Sequence, residues 1–170
     1  MPGTNVPGQM YDHELNVKKG WPSPYAVDYA AEYADGVSGV NAGMVVSLDA
    51  NGKFVRGLNA DGAMAIFALQ NQSDFDVLSD LGNISGGVGS GLVAAGAYEL
   101  QTTEFIAGDY EPNDPLTVED TVAADIGKLK VGTLYTDPIV GVVSAGQTDS
   151  EHNASIKFLA FWPVWLPPTP

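Results

Sequence analysis

The chain has 170 residues, of which 45% are hydrophobic and only 16% are charged. Its 20 glycines and 11 prolines are too many for a bundle of helices, while the apolar content suffices for a folded core. The 7 basic and 21 acidic residues give a net charge of −14. This charge disfavours nucleic acid and anionic membranes as partners, because both attract Lys and Arg. The absence of cysteine excludes disulfides and cysteine-based zinc sites.

Residues 1–37 are predicted to form an extended N-terminal arm, because prolines interrupt every helical or strand period in it. An arm that contains several aromatic side chains is expected to dock, either on another subunit or on its own domain. One short helix is predicted over residues 26–34, where tyrosines recur at every fourth position. The candidate contact residues of the arm are Tyr11, Trp21, Tyr25, Tyr29 and Tyr33.

Residues 38–160 have the pattern of an all-β domain, a small β-barrel or sandwich of about eight strands. Asn51-Gly52 lies between two apolar runs and predicts a hairpin with a type I′ turn. A single helix is predicted over residues 73–81, where Ser73 is placed to cap it. The predicted strands cover residues 44–48, 53–56, 63–69, 114–118, 128–133, 139–143 and 156–161, and one long strand lies within 91–105.

The apolar positions of these runs define a predicted core. Its members are Val45, Leu48, Phe54, Ile66, Leu69, Leu100, Leu116, Leu129, Val140, Val142 and Phe158. Residues 161–170 form a third region, a tail that contains two tryptophans and four prolines and therefore does not suit a central strand. Trp162, Trp165 and Leu166 are its candidate contact residues, at a contact with another subunit or a partner protein or alternatively against the end of their own barrel.

Candidate chemistry in the sequence is sparse. His13 and His152 are the only histidines, and neither has the partners that a catalytic triad or a metal site needs. The glycine-rich run at 85–91 lacks the Gly-Lys-Ser/Thr ending of a phosphate loop and is interpreted as a flexible loop. The acidic loop 109–114 suits a solvated turn better than a weak cation site. No catalytic residue, cofactor site or metal site is predicted, so the chain is not expected to be an enzyme.

A resemblance to a known family lies in the order of several short phrases. They are Gly43-Met44-Val45-Val46-Ser47-Leu48-Asp49, Gly52-Lys53-Phe54-Val55, Gly108-Asp109-Tyr110, Asn113-Asp114-Pro115-Leu116-Thr117-Val118, Gly127-Lys128-Leu129, Pro138-Ile139-Val140-Gly141-Val142-Val143-Ser144 and Lys157-Phe158-Leu159-Ala160-Phe161-Trp162-Pro163. Over about residues 43–163 the chain resembles the decoration, or cement, proteins of tailed-bacteriophage heads. The tyrosine-rich arm has no counterpart in that pattern.

The resemblance implies a non-enzymatic virion protein, often a homotrimer, on the outer surface of the capsid. Its partners would be the major capsid protein and further copies of itself, and it would stabilise the head across subunit junctions. Two alternatives come from other classes. One is a different virion component, such as a head-fibre base, a tail component or a minor shell protein. The other is a carbohydrate-binding β-sandwich module, which would need exposed aromatic side chains on a concave face.

Overall fold

The computed structural model describes residues 15–19, 29–59, 64–72, 88–93, 98–148 and 154–165 of the chain. Within these ranges the regular structure consists of strands, and no helix is present. The strands are β1 (Leu15–Lys19), β2 (Tyr29–Glu32), β3 (Val45–Leu48), β4 (Phe54–Arg56), β5 (Ile66–Ala68), β6 (Val88–Val93), β7 (Tyr98–Thr102), β8 (Pro115–Val118), β9 (Leu129–Val131), β10 (Ile139–Thr148) and β11 (Ser155–Trp165).

The strands form two antiparallel sheets that pack against each other through the larger of two apolar cores, so the all-β prediction is confirmed in its sandwich form. The six-stranded sheet has the order β1-β7-β11-β10-β8-β9, and the five-stranded sheet has the order β2-β6-β5-β3-β4. If β1 is left out of the six-stranded sheet, subtracting five from each remaining strand number gives β2-β6-β5-β3-β4. This is the strand order of the five-stranded sheet. The chain therefore contains the same five-stranded topology twice. We call β2–β6 the first unit and β7–β11 the second unit.

The register of the strands repeats along with their order. In the first unit Val46 pairs with Arg56, and in the second Leu116 pairs with Val131. Both pairs continue for two further positions in the same register, up to Leu48 with Phe54 and Val118 with Leu129.

The hydrogen bonds of the connecting loops repeat as well. Gly57 N–H donates to the Val45 carbonyl at 2.9 Å, and Gly132 N–H donates to the Pro115 carbonyl at 2.8 Å. Equivalent residues of the two units are 70 positions apart in β3 and β8 and 75 positions apart in β4 and β9. The difference arises because the β8–β9 loop is five residues longer than the β3–β4 loop.

Each unit has one parallel bridge, which joins the chain after its first strand to a strand on the far side of the unit. After β2, Tyr33 bridges to Phe54 at the opposite edge of the first sheet. After β7, Phe105 bridges to Leu129 at the opposite edge of the second sheet. The two bridged residues, Phe54 and Leu129, are equivalent in the repeat and both are buried. In each unit the segment after the first strand, β2 or β7, thus reaches the hairpin strand at the far side of the unit, β4 or β9.

The two cores are distinct. The first-unit core consists of Tyr33, Val40, Val46, Phe54, Ile66 and Ala68. The second-unit core also takes in Val45, Ala65 and Phe67, which alternate with the first-unit core residues along β3 and β5 and so lie on the other face of that sheet. The Phe67 and Phe158 rings are 5.5 Å apart and join the two units directly.

The core prediction holds for most of its members. Leu48 and Leu69 are only partly buried but pack against the cores. Val142 is half-buried and Val143 takes its place in the core, so that assignment is wrong by one residue. The pairing of β10 with β11 is irregular on both sides of this stretch, and such irregularities break the simple alternation of inward and outward side chains.

Several expectations about local structure are corrected. Residues 29–32 are a strand rather than part of a helix over 26–34, because they pair with β6. The Asn51-Gly52 hairpin forms, but only Gly52 has a positive φ, of 76°. A type I′ turn needs two such residues, and the loop instead has the single left-handed glycine of a bulged hairpin. The predicted long strand within 91–105 is the end of β6 and the whole of β7. The helix predicted over 73–81 lies outside the described residues.

The ends of the predicted domain also differ from expectation. β1 and β2 belong to the segment predicted as an arm, yet they pair with β7 and β6. β11 continues to Trp165, although the tail was not expected to form a central strand. Its pairing with β7 stops at Ala160, and Trp165 pairs with Ile139 after a shift in register. Pro163 therefore lies in the irregular stretch, where its missing N–H breaks no regular ladder.

Candidate interaction surface

A long loop of the second unit holds the two units together. The β8–β9 loop reaches β3, where the Val45 N–H donates to the Gly127 carbonyl at 2.7 Å. The guanidinium of Arg56 donates to the Ile126 carbonyl at 2.8 Å and to the Ala124 carbonyl at 3.1 Å. A side chain on Gly57 would meet Ile126, which shows how closely the loop and the strand end approach each other. We call these first-unit positions, Val45, Arg56 and Gly57, the occupied face.

The loop that covers the occupied face is organised around Glu119. Its carboxylate accepts hydrogen bonds from the Thr121 hydroxyl and from the N–H groups of Asp120, Thr121 and Val122, and Lys130 Nζ lies 3.1 Å from the second oxygen. These bonds, that of the Thr121 hydroxyl above all, lower the pKa of Glu119 from 4.5 to about 2. Glu119 is only 7% exposed, and its carboxylate holds the start of the loop in place as a charged acceptor.

Asp49 has the same place in the first unit. Its carboxylate accepts the N–H groups of Lys53 and Asn51, both at 2.8 Å, and the Lys53 bond is the main reason that its pKa is lowered. Asp49 thus closes a short turn by an Asx-type bond.

The exposed large apolar side chains among the described residues are Val122, Val131, Leu134 and Tyr135. Three of them follow one another closely on β9 and the turn after it. Val131 is 43% exposed, Leu134 52% and Tyr135 71%. We call these three residues the β9 patch. Apolar side chains that are grouped in this way, rather than scattered singly, are typical of contact surfaces.

The turn that carries Tyr135 is braced from within. Thr133 N–H donates to the Asp137 carboxylate at 2.7 Å, and Asp137 N–H donates back to the Thr133 carbonyl at 2.9 Å. Tyr135 has a φ of 68°, a conformation that residues with side chains seldom adopt. Backbone strain that is maintained on an exposed residue is a feature of functional positions. The turn therefore presents a large aromatic ring from a fixed backbone.

Tyr110 fixes the loop between β7 and β8. Its hydroxyl donates to the Ile106 carbonyl at 2.6 Å, and its ring packs edge-on against Phe105 with 5.3 Å between centroids. Burial raises the pKa of Tyr110 to about 12. In the adjoining acidic loop the Asp114 carboxylate accepts the Glu111 N–H. Across the part of the chain that the structure describes, no three His, Cys, Asp or Glu side chains converge as metal ligands, and this includes the acidic loop.

The predicted contact residues are placed as follows. Tyr33 is 2% exposed and packs against Phe54 within the first-unit core, so the interpretation of Tyr33 as a contact with another molecule is corrected. Tyr29 lies in β2, and Trp162 and Trp165 lie in β11. Tyr11, Trp21, Tyr25 and Leu166 lie outside the described residues, as do His13 and His152. The glycine-rich run 85–91 was interpreted as a loop, yet its second half belongs to strand β6.

Sequence reasoning missed the β9 patch. The run Val131-Gly132-Thr133-Leu134-Tyr135 looks like the end of a half-buried strand, and nothing in it indicates that its apolar members face outward. The repeat of units was also overlooked, although Gly52-Lys53-Phe54 and Gly127-Lys128-Leu129 carry a short signal of it.

No family model, curated protein or solved structure matches the chain. In the described ranges, no helix has both the length and the apolar character that crossing a membrane requires.

Proposed function

We propose that the chain is a structural, non-enzymatic component of a virus particle, a decoration protein on the outer surface of a tailed-phage capsid. In this role it binds the major capsid protein and stabilises the head across subunit junctions. It acts as an oligomer, with a trimer as the expected state, and uses no cofactor.

The observation that carries the proposal is the β9 patch. Val131, Leu134 and Tyr135 are exposed on a backbone that is braced by the reciprocal bonds between Thr133 and Asp137. A rigid apolar surface loses little entropy when it binds, so more of its buried area contributes to affinity. The exposed tyrosine is a residue type that contributes strongly at interfaces. This combination favours a protein that acts by binding.

The construction of the molecule supports a mechanical role as well. The two units are joined by the Phe67–Phe158 contact and by the β8–β9 loop on the occupied face. Two interlocked units behave as one body and can resist the separation of the subunits that they bridge. Six of the seven phrases that resemble the decoration proteins overlap β3, β4, β8, β9, β10 and β11, and Gly108-Asp109-Tyr110 lies in the loop before β8.

The test is the stoichiometry of the chain in purified particles of the virus that encodes it. Quantitative mass spectrometry against the major capsid protein is expected to give a ratio near that of a regular surface lattice, at least one copy for several capsid subunits. A few copies per particle would indicate a minor virion component instead. Absence from the particle would reject a virion role altogether.

A second measurement addresses the site of binding. Heads made without this chain are incubated with the purified protein and sedimented, and bound protein is compared with free protein. The expected result is saturable binding to intact heads and a rise in the temperature at which they release DNA. Saturable binding without that rise would retain attachment but reject the stabilising role.

A further inference from the structure

The repeat makes a comparison possible between the occupied face and its equivalent in the second unit. The position of Val45 is taken by Pro115, that of Arg56 by Val131, and that of Gly57 by Gly132. In the first unit these positions lie under the β8–β9 loop. In the second unit Val131 is 43% exposed, whereas Gly132 is buried and a side chain on it would meet Thr117 and Ile139 of the same unit. Val131 of the β9 patch is therefore equivalent to Arg56, the residue of the first unit that contacts the β8–β9 loop.

These residue differences remove hydrogen-bond donors from the face in the second unit. Val45 and Arg56 supply N–H donors to the carbonyls of the docked loop. Pro115 has no N–H, and Val131 has no polar atom in its side chain. The equivalent face is therefore suited to a contact made by apolar burial, to which Leu134 and Tyr135 add exposed apolar area.

The repeat also indicates what binds there. The element that docks on the occupied face is the hairpin loop of the second unit, through Ile126 and Gly127. Its equivalent in the first unit is the β3–β4 turn, in which Gly52 corresponds to Gly127. Both glycines have a positive φ, 76° and 91°. Gly127 has the Val45 carbonyl against it, whereas nothing lies within 4 Å of a side chain built on Gly52.

We propose that the β9 patch of one copy binds the first-unit β3–β4 turn of a second copy. The contact uses positions equivalent to those of the internal one, but Val131, Leu134 and Tyr135 pack on Ala50 and on the exposed backbone of Gly52 instead of donating hydrogen bonds. It is head-to-tail, because the two surfaces differ, so the assembly closes as a ring or continues as a filament. In a closed trimer six units would follow one another. Such self-assembly does not depend on whether the assembly then binds a capsid.

The net charge of −14 acts against this association, because copies of the chain repel one another. Lys53 lies on the proposed turn, but its ammonium group pairs with Glu32 at 3.5 Å and so offsets little of this repulsion. Added salt screens the repulsion but leaves apolar burial intact. Self-association is therefore expected to strengthen between 0.05 and about 0.5 M sodium chloride, where the Debye length falls from above 10 Å to below 5 Å.

The absence of cysteine makes a crosslinking test direct. Asn51, next to Gly52, corresponds to Ile126, and Val131 corresponds to Arg56, whose guanidinium contacts the Ile126 carbonyl at 2.8 Å. Asn51→Cys and Val131→Cys are made in separate full-length chains, mixed and treated with a bismaleimide crosslinker with a span of about 10 Å, because the arginine side chain holds the equivalent backbones farther apart than a disulfide spans. The expected result is a crosslinked heterodimer in the mixture and little product from either variant alone. A chain with both substitutions is expected to give a ladder or a closed ring.

Val122→Cys supplies the matched control, because Val122 is 51% exposed but lies outside the β9 patch. Its mixture with Asn51→Cys is expected to give only background crosslinking. Efficient crosslinking of Val131→Cys with itself would mean that two patches face each other, which overturns the head-to-tail contact. Equal crosslinking of the Val122 and Val131 mixtures would overturn it too.

A measurement without cysteine gives an independent check. Tyr135→Asn removes the ring and keeps a residue type that tolerates a positive φ. Sedimentation velocity is expected to show at least tenfold weaker self-association than for the unsubstituted chain, with unchanged far-UV circular dichroism. Val122→Thr is expected to associate normally. An unsubstituted chain that remains monomeric at 100 µM in high salt would reject the inference.

Discussion

The two units have the same strand order and register, but they differ in how their hairpin loops are used. In the first unit the short turn after β3 is closed by Asp49 and is exposed. In the second unit the longer loop after β8 is organised by Glu119 and lies against β3. The difference shows that one backbone plan can serve both as a free hairpin and as a clamp. The extra loop residues and the buried carboxylate account for the change.

The units also fill their interiors in different ways. Ile66 in the first unit corresponds to Gly141 in the second. A side chain on Gly141 would lie 2.6 Å from the Leu159 carbonyl and 3.1 Å from the Phe158 ring. Phe158 in turn corresponds to Gly91. A large residue on one strand is thus exchanged for a large residue on its neighbour, as close packing at constant volume requires.

The largest effect is expected where this exchange is undone. Gly141→Ala places a methyl group against the Leu159 carbonyl, and overpacking of this kind costs about 3 kcal/mol of the free energy of unfolding. Urea unfolding at equilibrium measures the loss. Gly108→Ala is the control, because its methyl group would meet only Tyr110 at 3.8 Å. Equal stability of the two variants would show that β10 and β11 are not packed as closely as described.

A matched pair of glycines separates the docked loop from the free turn. Gly52→Ala is expected to cost about 1–2 kcal/mol, the strain of a left-handed backbone with a side chain. Gly127→Ala carries the same strain and also places a methyl group 2.8 Å from the Val45 carbonyl, which adds about 1 kcal/mol. Thermal and urea unfolding of both variants give the difference. A larger loss for Gly52→Ala would contradict the docking of the loop.

Substitutions of Arg56 test the contact between the two units and are expected to cost less stability than the glycine substitutions. Arg56→Met keeps most of the stem but removes the donors to the carbonyls of Ser38, Ala124 and Ile126. We expect a loss of about 1–2 kcal/mol, because these are hydrogen bonds from a charged donor at a partly exposed site. Arg56→Lys should restore little, since an ammonium group cannot reproduce the planar fork. If Lys restores full stability, charge rather than geometry joins the units.

The smallest expected effect is a pH dependence that originates in the second unit. The pKa of Glu119 is lowered from 4.5 to about 2, so its carboxylate stabilises the folded chain above pH 4.5, and this contribution declines as the pH falls toward 2. Unfolding of the native chain and of Glu119→Gln is compared between pH 6 and pH 2.5. The stability gap between them is expected to narrow on acidification. A gap that widens would show the opposite linkage.

The local structure of several strands could be predicted from the sequence because apolar runs and turn residues mark them directly. Val45, Phe54 and Leu116 are core residues at positions where β-branched, aromatic or aliphatic side chains follow glycine or polar turns. Strands β1 and β2 were not predicted, because they are short, polar in part and supported mainly by pairing with distant strands. Propensity is a weak guide where the pairing partner decides.

The candidate surface shows the same limit. Val131 and Val143 are both apolar members of short strands, yet the first is exposed and the second is 2% exposed. Their difference depends on which strand is an edge and on where β10 is irregular, and neither property is visible in a window of sequence. Tyr33 is a comparable case, since its burial results from the bridge to Phe54 across the sheet.

By itself the sequence determined an acidic, cysteine-free, all-β chain with a hairpin at Gly52, because composition and turn chemistry act locally. Only the tertiary structure decided that the strands form two equivalent units, that the β8–β9 loop covers one face, and that the matching face carries an exposed Val131. These properties arise from contacts between residues about 70 positions apart, such as that of Arg56 with Ile126. No local preference encodes such a pairing, because it depends on how both sheets close around their cores.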